Sequence, residues 1–296
     1  MNHDLVVIST YEDLLARPAF EASLPFHPKA DRRFGSVLAP YRFQDRIQCG
    51  IASCGTPHMS GYLITTSDSR ETAIGSHCGK NHFGLKFTRE RQRVDKAVAR
   101  RRRIDAVMAM IDDMPRMIGL IEALERDYQE LQDLKVRLMG AIGTDTFSVL
   151  KQRADRDNPV IEKHVPMTAS EAEVYFETSN RKANDGLGWP TKPVPVATLD
   201  GLLFIKSRFK DMLVTNLCQP LRELSKTKAS DVESMKARAL VVTAKWVGEV
   251  PMGIQKSQEV ILAGRRFFTM ENIKKLVHLG ADPQTLSMML ADLRAK

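Results

Sequence analysis

Between Cys49 and His82 the chain concentrates three of its four cysteines and three of its seven histidines. The segment reads Cys49-Gly-Ile-Ala-Ser-Cys54-Gly-Thr-Pro-His58, continues through a strand-like run, and closes on His77-Cys78-Gly-Lys-Asn-His82. Thiolates and imidazoles at these separations suit a tetrahedral zinc ion. A shared ion constrains the fold more than any apolar pattern here, because the 49–54 loop and the 78–82 segment must meet around it. Cys78 and His82 are four residues apart, so on a helix both side chains face the same way. Gly55 after Cys54 allows a tight knuckle. The ligand set read from this spacing is Cys49, Cys54, Cys78 and His82. His58 is the alternate fourth ligand, since Cys54-x3-His58 repeats the spacing of Cys78-x3-His82. His77 adjoins Cys78 and would point elsewhere. The plainer reading of the same residues is three buried thiols and three surface histidines. Four protein ligands would close the site, making the zinc structural and contributing on the order of 10 kcal/mol to folding.

The residues between the two ends read as β. Gly61–Thr66 is strand-like, Ser67-Asp68-Ser69 has turn chemistry, and Glu71–Ile74 returns as a second strand. Gly75 ends the hairpin, and a helix is predicted to start near Ser76 or His77. A thiolate pair, a hairpin and then ligands at a helix N-terminus resembles the treble-clef type of zinc finger. The resemblance covers about residues 46–86, and Cys49-x4-Cys54 is longer than the CxxC knuckle typical of that class. It implies a structural zinc.

Charge gives the second constraint. From Lys86 to Arg103 nine basic residues face only Glu90 and Asp95, a local excess of +7 in a chain whose net charge is +8. Clustered charge acts on partners, whereas the average governs mostly solubility. On a helix these cations ring the cylinder, with Arg100 to Arg103 covering a full turn. No core absorbs unpaired guanidinium groups, so the block must be solvated, paired with acids, or bound to phosphate. Arg suits phosphate by its bidentate fork. Arg89, Arg91, Arg93, Lys96, Arg100, Arg101, Arg102 and Arg103 are therefore the candidate nucleic-acid contacts, directed at phosphates more than at base edges. Acids among residues 105–133 offer the competing, purely structural pairing. The 6% aromatic content disfavours a stacking platform for single strands.

Elsewhere the pattern is helical. Ile104, Val107, Ile111, Met114, Ile118 and Ile121 advance by three and four, and the seam continues through Leu124, Tyr128, Leu131, Leu134 and Leu138. Pro115, preceded by Asp112-Asp113, predicts a kink or break at 112–115. The seam seeks either an antiparallel partner within the chain or a second copy, so a homo-oligomer through residues 104–138 is one expectation. Residues 1–45 are read as a short helix near Tyr11–Leu15 followed by irregular or extended chain, and 141–200 as irregular with strand pieces and a short helix after Ser170. Ser230-Asp-Val-Glu233 reads as a capping box opening a helix through about Val247. Thr269 caps a helix ending at Gly280, and Asp282-Pro283 starts the last one. The expected fold is α+β and predominantly helical. Its expected parts are a zinc-binding module at 1–87, a basic-then-acidic helical segment at 88–140, an irregular linker or small α/β region at 141–200, and a helical domain at 201–296.

Several chemistries are disfavoured. No P-loop, GxGxxG or GxSxG signature is present. His58, His77, Asn81 and His82 resemble the ββα-metal (HNH-type) nuclease site only loosely, because Asn81 and His82 are adjacent and the cysteines would claim the metal first. Asp155, Asp157, His164 and Asp185 lie in irregular chain with no shared spacing. The closing helix pair, Met270–Leu279 and Pro283–Arg294, offers a groove little and reads as a packing hairpin. Cys218 reads as a buried thiol. No run is apolar enough for a membrane span, and Met1-Asn-His-Asp4 opens no signal peptide, so a cytoplasmic protein is expected. The functional expectation is a non-enzymatic, zinc-stabilised nucleic-acid-binding protein with no catalytic residues. A protein–protein adaptor is the alternative, and a metal-dependent HNH-like nuclease the third reading.

Overall fold

The computed structural model describes residues 6–26, 32–182 and 186–294. Asp185 and the Met1–Asp4 opening lie outside the described residues. The fold is α+β and predominantly helical, with one three-stranded and one two-stranded antiparallel sheet among the described residues. The chain divides into two compact units. One joins Met1–Met108 to Ala229–Ala244, and the other joins Ala109–Lys228 to Lys245–Lys296.

In the first unit, α1 (Tyr11–Leu15) opens with a capping box between Thr10 and Asp13. Strands β1 (Phe34–Ile47), β2 (His58–Thr66) and β3 (Glu71–Gly75) form a meander in the order β1-β2-β3. The predicted hairpin is therefore present, with Ser69 at φ 61° in its turn. The stretch expected to be irregular or extended chain contains the 14-residue β1. Pro40 and the charges of Arg42, Asp45 and Arg46 obscure its alternation, yet Pro40 is tolerated because β1 is an edge strand. A register shift between Val37 and Ala39 acts as a bulge that changes which face the strand buries. Before it, Phe34 and Val37 pack with Ile51, Ile64, Ile74, Phe87 and Val94. After it, Ala39, Tyr41 and Phe43 pack with Leu14, Leu63 and Ala73 on the other face.

Helix α2 (Ser76–Asp112) starts where predicted and covers the first of these faces. Gly84, at φ 60° and ψ −133°, interrupts it, so a short segment ends at Phe83 and a long one begins at Leu85. Phe83 and Phe87 flank the break. Phe83 stacks on Phe34 at 5.1 Å between centroids, and Phe87 meets Phe34 and Tyr62 edge-on. The contact is close: a Cβ at Gly79 would lie 2.5 Å from the Phe87 ring. Helix α7 (Ala229–Ser234) completes this unit with the first turns of α8 (Ala237–Phe267). The predicted helix from Ser230 to Val247 is thus two helices broken at Met235-Lys236, and α8 continues through Pro251 well past the predicted end.

In the second unit, the expected break at 112–115 separates α2 from α3 (Met114–Asp155), with Pro115 in the first turn. Met114, Met117, Ile121, Leu124, Leu131 and Leu138 are buried. Their cover comes from α5 (Leu202–Lys206), a π-helical turn (Asp211–Cys218), α6 (Gln219–Leu224) and α10 (Pro283–Arg294). Burying each such side chain contributes about 1.5–3 kcal/mol. Helix α3 runs on to Asp155 where irregular chain was predicted, bending at Gly143 because Ile142, Leu150 and Ala154 still have a core to enter. Strands β4 (Val160–Pro166) and β5 (Thr191–Thr198) pair around α4 (Ala169–Thr178), which opens on a Thr168–Glu171 capping box. Thr269 caps α9 (Met270–Lys274), Gly280 closes the following turn at φ 99°, and Asp282 caps α10 through Thr285. Helix α10 contacts α9 and α3, as a packing hairpin should.

Candidate metal centre and cationic helix

Two elements deliver the three sulfurs. Cys49 and Cys54 lie in the loop between β1 and β2, and Cys78 lies in the first turn of α2. The loop is shaped by its own amides: Cys54 N–H donates to Ile51 O at 2.8 Å, and Cys49 N–H donates to Thr56 O at 3.2 Å. Gly50 N–H reaches Ala73 O at 2.7 Å, tying the loop to β3. That approach excludes any side chain at position 50, where a Cβ would fall 1.9 Å from Thr72 Oγ1. The three Sγ atoms lie within 4.8 Å of one another, with Cys54 and Cys78 at 3.4 Å. A tetrahedral zinc with Zn–S bonds of about 2.3 Å needs sulfurs roughly 3.8 Å apart. All three are free cysteines. The donor set fits a soft divalent metal.

The electrostatics fit as well. Burial pushes Cys78 up to about 12 and also raises Cys49, with the neighbouring thiols adding to both. Hydrogen bonds from the Thr56 side chain and amide pull Cys54 down to about 7. Three thiols this close cannot all ionise without a compensating cation, and a bound divalent ion inverts that balance.

The histidines divide. His58 is engaged at both ring nitrogens, Nδ1 lying 3.2 Å from Thr56 O and Nε2 2.6 Å from Tyr41 Oη. A carbonyl only accepts, so Nδ1 carries the proton and Nε2 accepts from the buried Tyr41 hydroxyl. Tyr41 is held well above the usual phenol range, first by burial and then by Cys49 and Cys78. His82 sits one helical turn beyond Cys78, exposed, with no hydrogen bond or ion pair among the described residues. Among the described residues neither imidazole falls inside the three-sulfur cluster. Both line a cavity of about 320 Å³ with Cys54, Cys78, His77 and Asn81. The Tyr41–His58 pair has no motif in the sequence. Only the period-two burial of β1 hints at Tyr41.

The cations of α2 divide too. Arg93 pairs with Glu90 at 2.9 Å and donates to Val37 O at 3.3 Å, and Arg101 pairs with Asp105 at 2.8 Å. Arg91 Nε lies 3.9 Å from Asp95, buried and without a hydrogen-bond partner among the described residues. Arg100 donates to Glu233 O at 2.5 Å and Met235 O at 3.0 Å, clasping the end of α7. Lys86 donates to Phe34 O at 3.0 Å. Arg89, Lys96, Arg102 and Arg103 have no partner among the described residues. The block that rings the helix also contains a stripe, since Arg89, Arg93, Lys96, Arg100 and Arg103 advance by four and three.

Among the described residues the scattered acids form no site. Asp155 pairs with Lys151 and Asp157 with Lys206, each at 2.7 Å, and His164 Nδ1 lies 3.3 Å from Thr191 Oγ1. Cys218 is buried. No helix among the described residues is long and apolar enough to cross a membrane. Comparison with protein-family models, with curated proteins and with solved structures finds no match.

Proposed function

We propose that the chain is a zinc-stabilised nucleic-acid-binding protein. Cys49, Cys54, Cys78 and His82 hold one structural zinc in a treble-clef-like module, and cations of α2 contact phosphates. The observation that carries this reading is the convergence of three sulfurs within 4.8 Å at the start of a helix that then presents unpaired Arg89, Lys96, Arg102 and Arg103. The order of knuckle loop, β2–β3 hairpin and α2 supports the treble-clef likeness. His82 is favoured over His58 because its nitrogens are uncommitted, whereas both nitrogens of His58 are bound. Unpaired cations on a helix braced at its start form a fixed positive field, which favours sequence-independent backbone contact.

The test is binding of the full chain to a duplex of random sequence across a salt series. The reading expects log Kd to rise linearly with log salt, with a slope of about 0.9 per phosphate contacted. Absence of binding at low salt, or capture of an acidic protein unaffected by nuclease, would overturn it in favour of an adaptor.

A further inference from the structure

Two adjoining cavities flank the middle of α2 in the first unit. One, of about 430 Å³, lies between Lys96, Arg103 and the start of α8 at Ala237 and Leu240. The other, of about 480 Å³, lies between Val98, Arg102 and Pro40 of β1. They share Asp95, Ala99 and Arg103, so they adjoin along α2 as a two-sided groove, with Pro40, Val98, Ala99, Ala237 and Leu240 as its apolar lining. Both volumes fall in the range of about 300–1,000 Å³ typical of ligand clefts.

We infer that this groove is the phosphate-binding surface of the protein, taking the backbone of a nucleic acid against Lys96, Arg102 and Arg103; the inference rests on the nucleic-acid reading above and narrows it. Four features of the groove favour an anion. Of the four cations that line the cavities, Lys96, Arg102 and Arg103 have no partner among the described residues and Arg100 is bound to backbone carbonyls, while Arg93 and Arg101, outside the groove, have found carboxylates. The one acid at the groove, Asp95, is already engaged by the Tyr62 hydroxyl at 3.0 Å and lies 3.9 Å from Arg91. Concave walls of low polarity focus the field of rim charges, so an anion there gains more than at an isolated surface arginine. Lys96, Arg102 and Arg103 also repel one another within two turns, and a bound phosphate relieves that repulsion. Arg100 plays a different part: its guanidinium is spent on the carbonyls of Glu233 and Met235, so it is a positioning residue that sets the α7–α8 junction as the far wall.

The experiment compares the full chain with a groove variant (Lys96→Gln, Arg102→Gln, Arg103→Gln) and a control of equal charge loss (Lys245→Gln, Lys256→Gln, Lys274→Gln). Binding to a random duplex is measured across salt, with circular dichroism and metal content confirming that each variant is folded. Loss of two to three contacts should flatten the log–log slope by about 2–3 and weaken binding at least about 10-fold at low salt, with the control near wild type. Equal losses in both variants would overturn the groove while leaving nucleic-acid binding standing. A second arm uses inorganic tripolyphosphate and thermal shift. Groove-dependent tripolyphosphate binding without duplex binding would overturn the nucleic-acid reading but keep the groove as a phosphate site. Binding of neither probe would overturn both.

Discussion

The two units bury comparable kinds of side chain but secure them by different means. The first has a three-stranded sheet whose faces are closed by an N-terminal segment and one helix, and its β1–β2 loop carries Gly50 and two cysteines, with a third at the start of α2, in place of further apolar bulk. The second closes a long helix with four shorter elements, and its core is continuous from Met114 to Leu138. On the proposed reading a shared ion adds to the small sheet's core what the helical seam already has from side-chain burial. Each unit is therefore vulnerable at a different place.

If the cysteines hold the proposed zinc, removing it should have the largest effect and a local one. Chelation or Cys78→Ser is expected to cost on the order of 10 kcal/mol in the first unit. Hydrogen exchange should show β1, β2 and β3 losing protection while α3 keeps it. Uniform loss across both units would break the comparison. Core truncations come next. Phe87→Ala and Leu138→Ala should each cost about 3–5 kcal/mol by denaturant titration, since both side chains are fully buried. Only Phe87→Ala should also weaken metal affinity, because its ring packs on Gly79 beside Cys78. A smaller effect is expected of Tyr41→Phe, about 1 kcal/mol, from loss of the donor to His58 Nε2. Its metal stoichiometry should remain that of wild type, whereas His82→Ala should lower zinc affinity in a competition titration. Thr168→Ala, which removes the cap of α4, should cost about 1 kcal/mol in the second unit and leave zinc affinity untouched.

What could be read in advance follows the range of the interactions. The β2–β3 hairpin and the start of α2 were legible because Ser67–Ser69 and Gly75 are local punctuation. The seam of α3 was legible because burial repeats along one helix. Strand β1 was hidden, since its pairing with β2 overrides the discouragement of Pro40 and its charges, and the shift after Val37 breaks the alternation that would betray it. The Gly84 break escaped because a lone glycine in a helical pattern is ordinarily tolerated. At the candidate site, the three sulfurs were legible from spacing. The division of the arginines was not, because whether Arg100 meets phosphate or the carbonyls of Glu233 and Met235 depends on residues more than a hundred positions away.

The account turns on one ion shared by the three cysteines. X-ray absorption at the zinc edge, on protein purified without added metal and checked by elemental analysis, measures it directly. The expected result is one zinc per chain with three sulfur neighbours at about 2.3 Å and one nitrogen at about 2.0–2.1 Å, the nitrogen lost in His82→Ala. A folded chain that carries no metal and binds none on titration would contradict it.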